Sequence, residues 1–397
     1  MPPTIPNDQW RLFTDDRPTT TFAHLDTAAC GRSSKTTLRA VAAHAEREAT
    51  VGCYAAAAEA MPVLAQGRAD LASLLGLEAD GIAFAESGTA ALAALLRSWP
   101  LSVGDTVAVV PSEWGPNLDA FADRGLRIAP LTVDVDGIAD LDALRQFLGM
   151  TLPAFVHLTH VASHRPLVQP VAEVAALCRE FGVPLWVDAA QALGHVDVAS
   201  CGADAVYTTS RKWLTGPRGV GIIGVSSSWA RKLRPRVSEM DRLNVGDRSP
   251  VLLLESREAH VAGRIGLCNA VTEFLACDPS SVWARLAEVG AWTRSALAEV
   301  SGWSVVGDVS APSAITALRP QAGQDVAAVR KALLEKHQIV TTAALPVRAP
   351  REMTEPYLRI SPHVDCTPED LEKITAALHS LLPCDDYLGR LPGTRDA

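Results

Sequence analysis

From about residue 80 to about residue 225, short apolar runs alternate with longer stretches in which apolar positions recur every three or four residues. That rhythm predicts strands and helices in turn, the signature of a layered βαβ arrangement. The expected strands are GIAFAES (81–87), TVAVVPS (106–112), RIAPLTV (127–133), AFVHLTHV (154–161), VPLWVDAA (183–190), AVYTTS (205–210) and VGIIGV (220–225), several of them rich in β-branched residues. TAALAALLRSW (89–99) and VQPVAEVAALCREFG (168–182) have helical spacing, the second stopping at Gly182. The expectation is an α/β fold with a mostly parallel sheet and helices on both faces.

Past residue 250 the pattern changes. EAHVAGRIGLCNAVTEFLAC (258–277) and SVWARLAEVGAWTRSALAEV (281–300) carry helical spacing one after the other, and short strands and a last helix follow. The last helix is announced by Thr367 as N-cap, Pro368 in the first turn and Asp370 three residues after the cap. The expected division is an N-terminal segment over 1–24, a large domain over 25–260 and a smaller C-terminal domain over 261–397.

Composition narrows the setting. Of 397 residues, 48% are hydrophobic and 20% charged, a globular balance. Thirty-six Lys and Arg against 45 Asp and Glu leave a net charge of −9 with no basic block to follow a phosphate backbone, so nucleic acid is not an expected partner. Every apolar run breaks short of the roughly 18 residues that a membrane span needs. The opening residues, MPPTIPNDQW, lack the basic start and apolar stretch of a secretion signal. A cytoplasmic location without a membrane partner is expected. Eight cysteines include no CxxC pair and read as free thiols in a reducing compartment.

Three stretches carry candidate chemistry. In AVYTTSRKWLTGPRGVGIIGV (205–225), Lys212 follows a strand and precedes a Gly-rich turn, where a lysine can approach a planar cofactor and form a Schiff base with its aldehyde. Alone it would read as a solvated surface lysine. Twenty-four residues earlier, Asp188 ends the apolar strand of VPLWVDAAQALGH, at the edge where α/β ligand crevices open. A carboxylate there can keep a pyridinium nitrogen protonated, and Gln191 can donate to the phenolic oxygen of the same ring. A lone Asp at a strand end would otherwise be a helix cap. Ser87, Gly88 and Thr89 join a strand to a long helix, and the amides and hydroxyls of a helix N-terminus suit a phosphate.

These three elements, in this order, resemble the fold-type I pyridoxal phosphate enzymes of the aminotransferase class V, or cysteine-desulfurase-like, group. The resemblance runs from HLDTAACGR (24–32) to LRISPHVDCTPEDLEK (358–373). It implies a large domain with a mostly parallel sheet between helices, a smaller α+β C-terminal domain, and pyridoxal 5′-phosphate as cofactor. It implies Lys212 as the Schiff-base lysine, Asp188 as the pyridinium partner, and Gln191 as a donor to the ring. Ser87, Gly88, Thr89, Thr209 and Arg211 would bind the phosphate. In PSEWGPNL (111–118), Trp114 takes the place of a His that usually stacks on the ring, and an indole can stack there equally well. His160 stands where an Asn is common beside the cofactor. Arg359 matches the arginine that grips a substrate carboxylate, and Ala28, in the matching N-terminal segment, is expected to contact the substrate. The resemblance also implies a homodimer whose cofactor sites are completed across the interface, with Ser256 or Arg257 in ESREAHVAG (255–263) as the crossing contact.

Departures from the family pattern narrow the reaction. A desulfurase needs a loop cysteine to attack sulfur, and the matching stretch IVTTAALPVRAPREM (339–353) has none, which excludes a persulfide there. His157, His160 and His164 would share a helix face, but AFVHLTHV reads as a strand that sends residues 157 and 160 to opposite sides, so no metal site is expected. LDTAACGRSS, VDAAQALGH and TTSRKWLTGPRGVG together are most similar to the branch of the family that cleaves hercynylcysteine sulfoxide in ergothioneine biosynthesis. That similarity implies a β-eliminating carbon–sulfur lyase acting on a small cysteine-conjugate sulfoxide. Tyr54 and Trp114 are candidates for cation–π contact with a trimethylammonium group on such a substrate. The alternatives are a class V aminotransferase using the same Lys212, Asp188 and Arg359, or a lyase acting on another cysteine conjugate.

Overall fold

The computed structural model describes residues 11–236, 238–239, 249–256, 258–321 and 323–381. A short strand β1 (Ala23–His24) leads to two long helices, Lys35–Val51 and Cys53–Leu75, that meet at Gly52 with φ of 89°, a conformation suited to a residue without a side chain. The second of these helices has alanine on every side, CYAAAAEAMPV over its first half, so no apolar stripe marks it in the sequence.

The expected strands all form and make one sheet. They are β2 (Ile82–Ala85), β3 (Thr106–Val109), β4 (Arg127–Pro130), β5 (Phe155–Thr159), β6 (Leu185–Asp188), β7 (Ala205–Thr209) and β8 (Gly221–Val225), in the order β2-β8-β7-β6-β5-β3-β4. The run from β4 through β3, β5 and β6 to β7 is parallel, while β8 lies antiparallel to both β7 and β2. Two reversals cancel, so β2 ends at the same sheet edge as β5, β6 and β7.

Both faces are covered, which is why the strands read as continuous apolar runs. On one face Phe84, Val156, Leu158, Val187 and Val206 pack with Leu64 and Leu71 of the Cys53–Leu75 helix and with Leu267 and Val271 of helix Val261–Ala276. On the other, Ala83, Val107, Phe155, Trp186 and Ile223 pack with Leu92 and Leu95 of helix Gly88–Ser98 and with Phe121 of helix Gly115–Asp123.

The C-terminal part builds a separate antiparallel sheet from β9 (Trp303–Val305), β10 (Thr316–Pro320), β12 (Thr342–Ala344) and β13 (Tyr357–Ile360), in the order β12-β13-β10-β9. Between β10 and β12 come helix Val326–His337 and the two-residue β11 (Ile339–Val340), which pairs in parallel with β1 and so ties the N-terminal segment to this unit. Its own core holds Leu297, Trp303, Leu318, Leu333, Leu358 and Ile374. The last helix, Pro368–Ser380, starts with the expected capping box: Thr367 Oγ1 accepts from Asp370 N at 3.3 Å, and Asp370 Oδ2 accepts from Thr367 N at 3.0 Å. The ends of β2, β5, β6 and β7 face the loop that joins β12 to β13.

Candidate active site

Where those strand ends meet that loop, a cavity of about 280 Å³ opens. Its floor at the end of β2 is the turn Ser87, Gly88, Thr89. The Ser87 hydroxyl accepts from Ala90 N at 3.0 Å and so starts helix Gly88–Ser98, whose first amides have no acceptor inside the helix. The turn lies directly on β8, because a side chain at Gly221 would come within 2.3 Å of the Ser87 carbonyl oxygen. Thr209 and Arg211, from the end of β7, line the cavity on the same side. The result is a pocket of amides, hydroxyls and one guanidinium fitted to a compact anion.

Asp188 closes β6 and is buried, with Oδ1 accepting from Ala190 N at 2.8 Å and Oδ2 from the Asn117 amide at 3.0 Å. Lys212 lines the same cavity. Burial pushes its amine down to about 7, opposed by Asp188 and aided by Arg211, Arg359 and Arg348. At neutral pH a large share of the amine is therefore uncharged, as a nucleophile or base requires.

Gln191 is fixed at both ends of its amide. Nε2 donates to the Ala28 carbonyl at 2.9 Å, and Oε1 accepts from Trp213 Nε1 at 2.8 Å. Trp213 stacks on His195 with ring centroids 3.8 Å apart. That imidazole donates from Nδ1 to Gln191 O and accepts Ala314 N at Nε2, and burial pushes it down to about 3, so it is neutral. Ala28 itself hangs from Ser361 Oγ through its amide at 3.1 Å, and it lines the cavity.

Trp114 lines the cavity from the start of helix Gly115–Asp123, and the Arg348 guanidinium lies 5.4 Å above its ring. Burial pushes Arg348 down to about 10, helped by Arg359, yet it makes no ion pair among the described residues. Arg359 stands behind this wall and does not line the cavity. It is fully buried, donating to Ser163 O at 2.8 Å and to Asp26 Oδ1 at 3.0 Å, while its Nε has no partner.

Three expected residues lie elsewhere. The His160 imidazole turns to the other face of the sheet, where Cys201 Sγ lies 3.7 Å away, because strand alternation gives the cavity side to Thr159 instead. Burial pushes that imidazole down to about 4, so it is neutral there. Tyr54, in the first turn of its helix, is 72% exposed and lines no part of the cavity. Ser256 is exposed and outside the cavity, and Arg257 lies outside the described residues.

Residues 23–374 match the aminotransferase class V family. The chain belongs to that family. A probable hercynylcysteine sulfoxide lyase of Mycobacterium tuberculosis (strain CDC 1551 / Oshkosh) is 48% identical over 375 residues, 94% of this chain and 92% of the relative. The isopenicillin N epimerase of Amycolatopsis lactamdurans is 26% identical over 81% of this chain and 85% of its own. Among solved structures, the cysteine desulfurase of Thermococcus onnurineus NA1 superposes with a TM-score of 0.81 at 19% identity, covering 96% of this chain and 99% of that one. The architecture is accordingly that of fold-type I pyridoxal phosphate enzymes.

Pyridoxal 5′-phosphate is the cofactor of this class V chain. The residues present fit it: an amine tuned near neutrality, a buried carboxylate with an oxygen facing the cavity, an indole ring, and the anion pocket at Ser87, Gly88, Thr89, Thr209 and Arg211. Sequence reading missed Asn117, Tyr207, Thr159 and Arg348, which line the cavity, and Glu113 behind them. Asn117 follows Glu113 by one helical turn in PSEWGPNL, a legible spacing once Trp114 is placed on the ring. Arg348, in the loop where a cysteine was sought, was legible by charge alone.

Proposed function

We propose that this class V chain is a pyridoxal phosphate-dependent carbon–sulfur lyase that cleaves hercynylcysteine sulfoxide by β-elimination in ergothioneine biosynthesis. Water completes the balance, giving the sulfenic acid of ergothioneine, pyruvate and ammonia; thiols outside the enzyme then reduce the sulfenic acid to ergothioneine. The observation that carries the reading is a cavity lined by Lys212 with no cysteine among its described lining residues. A desulfurase would need a sulfur nucleophile there, and the relative with 48% identity bears the lyase name.

Bound in the cavity, pyridoxal phosphate supplies an electron sink for charge developing at the substrate Cα. Lys212 Nζ, held near pH 7, takes the Cα proton. Asp188, pinned by Ala190 and Asn117, keeps a proton on the ring nitrogen. Gln191 presents its amide to the ring oxygen, and Ser87, Gly88, Thr89, Thr209 and Arg211 hold the phosphate. Trp114 supplies an aromatic face. Arg348 meets the substrate carboxylate, with Arg359 behind it adding positive potential and bracing the wall through Asp26. The large unit thus carries the cofactor and the unit after about residue 260 carries the carboxylate arginines.

The same reading makes the enzyme a cytoplasmic homodimer with sites completed across the interface. Among the described residues no helix is long and apolar enough to cross a membrane. The exposed side chains of Tyr54 and Met61 on helix Cys53–Leu75, and of Leu38 on the helix before it, support a covered face and a contact with substrate from the second copy. The test is an absorbance spectrum of the purified protein, then a pyruvate assay with hercynylcysteine sulfoxide. A band in the near-visible range with pyruvate release supports the lyase; the band without pyruvate overturns it in favour of aminotransfer or another conjugate.

A further inference from the structure

Beneath Asp188 lies a closed ring of hydrogen-bonded side chains that the proposed reaction has not used. The Asn117 amide nitrogen donates both to Glu113 Oε1 at 2.8 Å and to Asp188 Oδ2 at 3.0 Å. On the other side, Glu113 Oε2 is 2.7 Å from His157 Nδ1, and His157 Nε2 is 3.0 Å from the Tyr207 hydroxyl. Tyr207 completes the ring: it stands opposite Asp188 on the neighbouring strand and lines the same cavity, which brings its hydroxyl to the carboxylate. Glu113 and His157 have no exposed surface.

Counting protons fixes the direction of this ring. Glu113 Oε1 accepts from Trp114 N, Asn117 and Thr159 Oγ1, each at 2.8 Å, and such donors favour the carboxylate over the acid. Burial favours a neutral Glu113, but the His157 charge and these donors outweigh it and hold the carboxyl below its ordinary range. His157 Nδ1 therefore carries a proton toward Oε2. The Tyr207 hydroxyl has one proton to give. Were His157 neutral, Nε2 would accept that proton's hydrogen bond, and the Tyr207 and Asp188 oxygens would face each other with no hydrogen between them. With both imidazole nitrogens protonated, Nε2 donates to the Tyr207 oxygen and the hydroxyl donates to Asp188.

We propose that Glu113 holds His157 as an imidazolium, which turns the Tyr207 hydroxyl onto Asp188 and thereby keeps the shared proton on the cofactor ring nitrogen. Glu113, His157 and Tyr207 are positioning residues in this arrangement. A third donor, added to Ala190 N and Asn117, favours the carboxylate form of Asp188 and leaves the proton with its ring partner. A buried ion pair whose remaining lone pairs are all satisfied is the condition under which such a charge survives burial. The inference deepens the lyase reading, since the ring nitrogen matters through the proton removed at Cα.

The test begins without cofactor. In protein labelled with ¹⁵N-histidine, both ring nitrogens of His157, assigned with His157→Gln, are expected to carry protons, and Glu113→Gln is expected to leave one. A neutral His157 in the unsubstituted protein overturns the proposal. Because Glu113→Gln disturbs a fully buried pair, Tyr207→Phe is the second variant and removes only the hydroxyl. With cofactor bound, Tyr207→Phe is expected to lower kcat about tenfold with KM unchanged. The ¹⁵N signal of ring-labelled pyridoxal phosphate should move away from its protonated position, and an unmoved signal overturns the proposal. Absence of pyruvate from the unsubstituted enzyme would sink the lyase reading alone, because both nitrogen signals still judge the ring.

Discussion

Asp188, on the sheet side of the cavity, is gripped at both oxygens, and Gln191 beside it is gripped at both ends of its amide. Arg348, on the loop side, rests on the Trp114 ring and has no ion pair among the described residues. Behind it Arg359 repeats the sheet-side pattern, pinned by Asp26 and the Ser163 carbonyl. Asp188 and Gln191, proposed to hold the cofactor ring, follow a strand end with their polar atoms fixed, as pre-organised chemistry requires. The group proposed to meet the substrate is left unpaired on a loop, where its charge is available to an incoming carboxylate.

The largest test of this contrast is Lys212→Ala. Loss of a positioned nucleophile and base should lower pyruvate release by roughly 10³-fold or more, and retained turnover would remove the sheet wall from the chemistry. Next comes the pair of arginines. Arg348→Ala is expected to raise KM roughly 10- to 100-fold while the cofactor spectrum and the melting temperature stay put. Arg359→Ala leaves Asp26 buried without its guanidinium and should cost roughly 3–5 kcal/mol of stability, read as a fall in melting temperature. If Arg348→Ala melts the protein and Arg359→Ala only weakens substrate binding, the two arginines have exchanged roles.

That reversal matters because the sequence pointed to Arg359 and not to Arg348. Most of the strands were legible because they are buried on both faces and read as apolar runs, while the edge strand β4, half-exposed, was legible from its place in the alternation. Lys212, Asp188, Gln191 and the Ser87 turn were legible because strand ends and a helix start fix their direction. The long helix Cys53–Leu75 was not, since alanine on all sides erases its stripe. Within the site, a residue's type was readable but its partner was not. Arg359 is engaged by Asp26, which is 333 residues away, and the His160 imidazole meets Cys201, 41 residues on. Such pairings are set by tertiary contact and leave no local trace.

A smaller effect separates function from stability at Lys212 itself. In the cofactor-free protein its amine titrates near 7, well below its ordinary value, because burial disfavours the charged form. Between pH 7 and the ordinary lysine range the unfolded chain binds a proton that the folded chain does not, so this group makes stability rise with pH across that window. Below pH 7 both states are protonated and the penalty is fully present. Lys212→Met should therefore stabilise the cofactor-free protein at pH 7, by at most a few kcal/mol, and flatten its stability profile toward pH 10. Parallel profiles for the two proteins would mean that the amine is not buried in the way the cavity wall requires.

The smallest expected effect lies away from both walls. Thr367→Ala removes half of the capping box of helix Pro368–Ser380 and should cost about 1 kcal/mol, seen as a small drop in melting temperature. Thr367 comes six positions after Ser361, whose hydroxyl accepts from Ala28 N at the cavity edge, and β13 with Arg359 lies just before. If the loop-side wall is free to adjust, as the unpaired Arg348 implies, kcat/KM should stay within about twofold, the scale expected of a substitution acting on stability alone. A larger fall in kcat/KM with the cofactor spectrum intact would show that the cap is transmitted through Ser361 and Arg359 to the substrate side. The two walls would then be alike in rigidity and differ only in charge pairing.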